Sequence, residues 1–128
     1  DLRVEELALK VIKKHKQLMV THTQERVVEG QALQERVVEL YTITERGLEC
    51  VFAQVTELKW GEGRAGLTLN LSPQGALSLS RVRLEGLTRA QLSALPALRT
   101  HTPLMGHDGR GQGRRLKFHE GRWVMRRD

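Results

Sequence analysis

The chain has 128 residues, with 21 Lys and Arg against 15 Asp and Glu, a net charge of +6 and 12 glycines. Its single cysteine, Cys50, excludes an internal disulfide and a cysteine-rich zinc site. No apolar run approaches the ~20 residues of a membrane-spanning helix, so no membrane partner is expected.

Charge divides the chain. Residues 1–60 hold nine Lys/Arg against ten Asp/Glu, whereas residues 61–128 hold twelve against five and ten of the glycines. This split predicts a helical, dimerising region over 1–60 and a small basic, antiparallel β-rich region over 61–128. The five aromatics, Tyr41, Phe52, Trp60, Phe118 and Trp123, leave the core to Leu and Val. Cys50, among apolar neighbours in GLECVFAQV, reads as a buried, inert thiol. A reducing, intracellular location, cytoplasmic or nuclear, follows as the expectation.

Val4, Leu7, Val11 and Leu18 recur at helical steps, which predicts an amphipathic helix over 2–19 with Lys13–Lys16 (KKHK) partly in water. The following MVTHTQERVV suits a strand or a continued helix. QERVVE then occurs twice, at Gln24–Glu29 and Gln34–Glu39. A ten-residue shift turns a helix by about −80°, so the copies would not stack on each other.

Ala32–Trp60 lacks proline and contains one glycine, Gly47. Val38, Tyr41, Glu45, Leu48, Phe52 and Val55 recur at alternating steps of three and four, a heptad-like seam with one polar intrusion. It predicts a helical hairpin with coiled-coil character, whose homodimer interface carries Val38, Tyr41, Leu48, Phe52 and Val55. The segment YTITERGLECVFAQV also resembles the end of winged-helix regulators, on Tyr41, Ile43, Thr44 and Gly47. That likeness implies a strand end leading into a dimerisation helix. It lacks the glycine-tipped wing upstream, so it identifies no groove-reading element.

Gly61–Gly66 (GEGRAG) has the G-x-G-x-x-G spacing of a dinucleotide loop, but the expected order around it is helix then strand, the reverse of what pyrophosphate binding requires. It reads as a linker. Leu67, Leu69 and Leu71, the turn Ser72–Gly75, then Leu77 and Leu79 predict a β-hairpin, with a bulge near Ser80 before Val82 and Leu84. Thr88 caps a short helix that turns Leu92, Leu95 and Leu98 inward, weakened at Pro96. Residues 100–113, rich in glycine, read as a mobile loop, with a ligand loop that orders on binding as the alternative.

The last stretch, RRLKFHEGRWVMRR, has alternating arms about a Glu120-Gly121 turn. That register sets Phe118 opposite Trp123 and Leu116 opposite Met125 on one face. Arg115, Lys117, His119, Arg122, Val124 and Arg126 take the other, with Arg115 opposite Arg126. Like charges directly opposed are destabilising, and an anion relieves them. With Arg110, Arg114 and Arg127 they form a ribbon suited to a phosphate backbone. A solvated edge strand would also carry such charge.

The histidines are scattered and no nucleophile elbow is present, so no catalytic residue, metal or cofactor is expected. The expectation is a non-enzymatic α+β protein: an N-terminal helical pair, then antiparallel hairpins around one short helix. It would form a homo-oligomer and hold DNA or RNA by the backbone. The alternative is a structural or assembly protein whose helices and sheet edge bind other proteins.

Overall fold

The computed structural model describes residues 2–96 and 101–126. There is no N-terminal helical pair. Residues 2–60 form four long strands, β1 (Leu2–Ile12), β2 (His15–Val28), β3 (Gln31–Thr44) and β4 (Gly47–Trp60), paired antiparallel in sequence order. Strands β5 (Gly63–Gly66) and β8 (Arg83–Glu85) complete this six-stranded sheet at the β4 side. Strands β6 (Leu69–Leu71), β7 (Ala76–Leu79), β9 (Arg114–His119) and β10 (Arg122–Met125) form a second sheet in the order β10-β9-β7-β6. The one helix among the described residues is α1 (Arg89–Ala94), with Thr88 and Gln91 making a capping box.

The expected helical hairpin and coiled coil are therefore corrected, and the reason is local. Two-residue turns with positive φ at both positions join the strands: Lys13-Lys14 (46° and 69°) and Glu29-Gly30 (50° and 75°). Such turns match the twist of paired strands and fold the chain back on itself. β-Bulges then disguise the strand period. Val4 lies opposite His22 and Glu6 opposite Thr21, so the extra residue Glu5 brings Val4 and Leu7 onto one face. A spacing of three, read as helical, is a bulged strand.

The repeat has a plain geometric meaning. Its copies flank the Glu29-Gly30 turn and pair with each other, Gln24 with Glu35 and Glu25 with Gln34. Paired positions sum to an odd number while the repeat shift is even, so equivalent residues point to opposite faces. Val27 is 73% exposed whereas Val37 is fully buried. Arg26 pairs with Glu35 at 3.0 Å on one face, and Arg36 with Glu5 (2.9 Å) and Glu57 (3.1 Å) on the other.

The long sheet buries opposite faces at its two ends. Leu33, Val37, Val55, Leu58 and Ala65 meet Leu87 and Leu92 with Leu104 and Met105 of the loop. On the opposite face, Leu40 and Ile12 meet Leu77, Phe118 and Trp123 of the second sheet. The predicted dimer seam is dispersed accordingly. Val38 and Val55 are buried, Phe52 packs against both clusters, and Tyr41 and Leu48 lie on one sheet face. Cys50 is exposed rather than buried, and burial of its surroundings still pushes its thiol pKa up.

The 67–79 hairpin forms as expected, Leu69 opposite Leu79 and Leu71 opposite Leu77. Leu92 is buried and Leu95 packs on the same core, while Leu98 lies outside the described residues. The expected mobile loop is instead built in from Thr102 onward. Thr102 bridges β4 through hydrogen bonds with Ala53 and Val55, and Leu104 and Met105 are core residues.

The GEGRAG segment forms the tight Gly61-Glu62 turn and the short strand β5 that follows it, and Gly63 is its constrained position. A Cβ there would fall 2.4 Å from Leu87 Cγ and 2.7 Å from the Gly86 carbonyl oxygen. Gly63→Ala is expected to cost about 1–3 kcal/mol by overpacking, read as a lowered urea midpoint with unchanged slope.

Candidate nucleic-acid interface

The C-terminal hairpin has the predicted register. Trp123 pairs with Phe118, Met125 with Leu116, Val124 with Lys117 and Arg122 with His119, and the Arg126 amide donates to the Arg115 carbonyl at 2.8 Å. Glu120 and Gly121 adopt φ of 50° and 79°, the same turn type as the first two hairpins. Phe118 is buried and its ring lies 5.2 Å from that of Trp123. The anchor is aromatic, and pleating then sends the alternate residues to solvent.

Strand β9 pairs on its other side with β7, Ser78 opposite Arg115 and Ala76 opposite Lys117. The outer face of the second sheet thus presents Arg115, Lys117, His119 and Arg122, all exposed, with Arg126 just beyond β10. His119 lies 3.7 Å from the carboxylate of its neighbour Glu120.

The structure adds cations whose sequence pattern predicts a helix. The Lys13-Lys14 turn abuts this hairpin: Lys13 Nζ donates to the Phe118 carbonyl at 3.0 Å and its amide to the Pro73 carbonyl at 2.9 Å. His15 sets its ring edge-on to Phe118 at 5.4 Å. Lys13 and His15, about a hundred residues away in sequence, thereby dock against Phe118, whose neighbours Lys117 and His119 point to the outer face. The local signal was the charge run itself; only the packing shows which surface it extends. Lys16 lies opposite Val11, on the other face of the long sheet, and is separate.

Two predicted cations leave the set. Arg114 turns inward, where its Nη2 donates to Gln54 Oε1 at 2.9 Å. Burial lowers its pKa, and Asp108 partly offsets that. Gln54, itself fully buried, donates to the carbonyls of Val55 (2.8 Å) and Pro103 (3.1 Å), so Arg114 helps fasten the loop to β4. Arg110 lies on the loop beside α1, its carbonyl accepting from Arg89 at 3.3 Å. Arg127 lies outside the described residues.

On the opposite face of the long sheet, Glu39 accepts from the Tyr41 hydroxyl at 2.9 Å and lies 2.5 Å from His22 Nε2. Burial, then the Glu39 bond, pushes the Tyr41 pKa up to about 12, so Tyr41 remains a donor. His101 meets Gln24 at 3.0 Å, and burial lowers its pKa. This network satisfies the Glu39 carboxylate beside the apolar residues Leu7, Val20 and Ala53 of the same row. Among the described residues no cluster of three or more His, Cys, Asp or Glu is placed to hold a metal ion. None of the helices among those residues is long and apolar enough to cross a membrane.

Comparison with protein-family models, curated proteins and solved structures found no match to this chain.

Proposed function

We propose that this protein binds the phosphate backbone of nucleic acid, non-enzymatically, through the outer face of its second sheet. The observation carrying this reading is the set of exposed cations Arg115, Lys117, His119 and Arg122 on the outer face of the second sheet, with the exposed Lys13-Lys14 turn fastened to its edge at Phe118. Like charges crowded on a rigid sheet repel, and a chain of phosphates relieves that repulsion while releasing its own counterions. The aromatics next to this surface, Phe118 and Trp123, are both buried, so the mode is backbone tracking rather than base stacking.

Binding of fluorescent duplex DNA and RNA across salt concentrations tests the reading. With about six phosphate contacts, log affinity for duplex DNA falls with log salt at a slope near −5, a roughly 10³-fold loss between 50 and 200 mM. A slope shallower than about −1 with both nucleic acids would instead favour an assembly protein whose partners are other proteins.

A further inference from the structure

Among the described residues, one apolar face of the long sheet is uncovered. At the end where β3 and β4 carry the second sheet on one side, the other side presents cross-strand rows: Leu9–Leu18–Tyr41–Cys50, then Leu7–Val20–Glu39–Ala53. Val11 on β1 and the Ile43–Leu48 pair extend this face at one end, and Val4 at the other. Val4, Leu7, Leu9, Val11, Ile43 and Leu48 are between 46% and 63% exposed. Large apolar side chains standing in water at six neighbouring positions are costly, whereas the other exposed large hydrophobics, Val27, Leu84 and Met125, stand singly.

We infer that this face packs against the same face of a second copy of the chain, forming a two-fold, face-to-face dimer. Area supports the choice. The six exposed side chains offer on the order of 500–600 Å² of apolar surface, the top of the range a monomer leaves open. Adding the half-buried Leu18, Val20 and Tyr41 brings this near the ~800 Å² per partner of a standard interface.

Charge supports it as well. The one carboxylate within the rows, Glu39, is already held by His22 and Tyr41, so it enters the interface paired. Lys16 stands in the end row, between Val11 and Ile43, where its long side chain can reach past the end of the face to solvent. The cationic sheet packs on the opposite side of these same strands. In the dimer the two cationic sheets are therefore the outer layers, and a chain of charge +6 can self-associate without apposing its basic surfaces.

Sedimentation velocity from low to high micromolar concentration tests the dimer. The expected result is a species of twice the 14.6 kDa chain mass for the natural sequence, and a monomer for Leu9→Glu and for Leu48→Glu. Both positions are exposed, at 60% and 57%, so the charge does not enter the core. Cys50 supplies a readout of which face is used, since it lies in the Leu9 row and is exposed in the single chain. Its alkylation rate is expected to fall at least tenfold as the natural chain becomes dimeric, and to stay constant in the two variants. That concentration dependence in the natural chain decides the matter even if a variant fails to fold. A monomer at every concentration, or a dimer in which Cys50 reacts as fast as in the dilute chain, would overturn the inference.

Discussion

A chain carrying Lys14→Glu, Lys117→Glu and Arg122→Glu together is expected to lose nearly all affinity for nucleic acid while keeping its stability. All three side chains are exposed, and none is bonded to a carboxylate among the described residues, so reversal breaks no internal pair. Each phosphate contact adds about 0.9 to the magnitude of the salt slope for duplex DNA, so three lost contacts flatten the slope by about 2.7 and weaken binding on the order of 10²–10³-fold at 0.1 M salt. Repulsion between the new carboxylates and phosphate adds to the loss. Fluorescence anisotropy at three salt concentrations measures both quantities. Affinity that stays within threefold of the natural chain, with an unchanged slope, would remove the sheet face from the interface.

Phe118→Ala is expected to be the most damaging single truncation in the second sheet. Phe118 is 1% exposed and packs with Ile12, Leu40, Leu77 and Trp123. It also meets His15, so its ring joins the hairpin to the β1–β2 turn. Deleting a buried phenyl group removes its transfer free energy and leaves a cavity, costing about 3–5 kcal/mol. That is a large share of the ~5–15 kcal/mol by which a domain of ordinary stability stays folded. Urea unfolding followed by tryptophan fluorescence would read the loss, because Trp123 lies against the deleted ring. A cost below about 1 kcal/mol would mean that the hairpin is not seated as described. Because Phe118 positions both cationic elements, the variant should also bind nucleic acid less tightly under conditions where it remains folded. This separates placement of the charges from the charges themselves.

Both results bear on one arrangement: an apolar side that fastens the hairpin and a cationic side held rigid by that fastening. The inward turn of Arg114 belongs to it too. Residues 114 and 115 carry the same side chain, but pleating sends Arg114 to Gln54 and Arg115 to solvent. Counting arginines in a basic tail overstates the surface that meets a ligand.

How much could be read from the amino acids differs along the chain. Where pairing partners are neighbours in sequence and the turn has a clear signature, the reading holds: Glu120-Gly121 sets Phe118 opposite Trp123 to the residue, and Ser72–Gly75 turns a hairpin between the expected leucine arms. The Thr88 cap was legible for the same reason, since its bonds run to Gln91, three residues on. The first half contained an equally good sign, Glu29-Gly30, but its many helix formers and its three- and four-residue spacings pointed elsewhere. The Val4–Leu7 spacing arises from the bulge at Glu5 on β1, and two further bulges, at Val51 and Thr56, interrupt the alternation of β4, while the seam read from Val38 to Val55 joins residues of both faces. The Lys13-Lys14 turn has neither glycine nor asparagine to announce its positive φ.

By itself, then, the sequence determined the local pieces: the last two hairpins, the helix cap, the uneven charge and the basic side of the final ribbon. Tertiary structure decided the rest. It made strands of residues that also suit helices, brought the Lys13–His15 turn to the hairpin, and gave two identical hexapeptides opposite fates, Val27 in water and Val37 in the core. The physical reason is range. A turn or a cap is settled by bonds a few residues long, whereas a residue in a sheet acquires its face, and so its burial and its role, only from partners that the whole fold supplies.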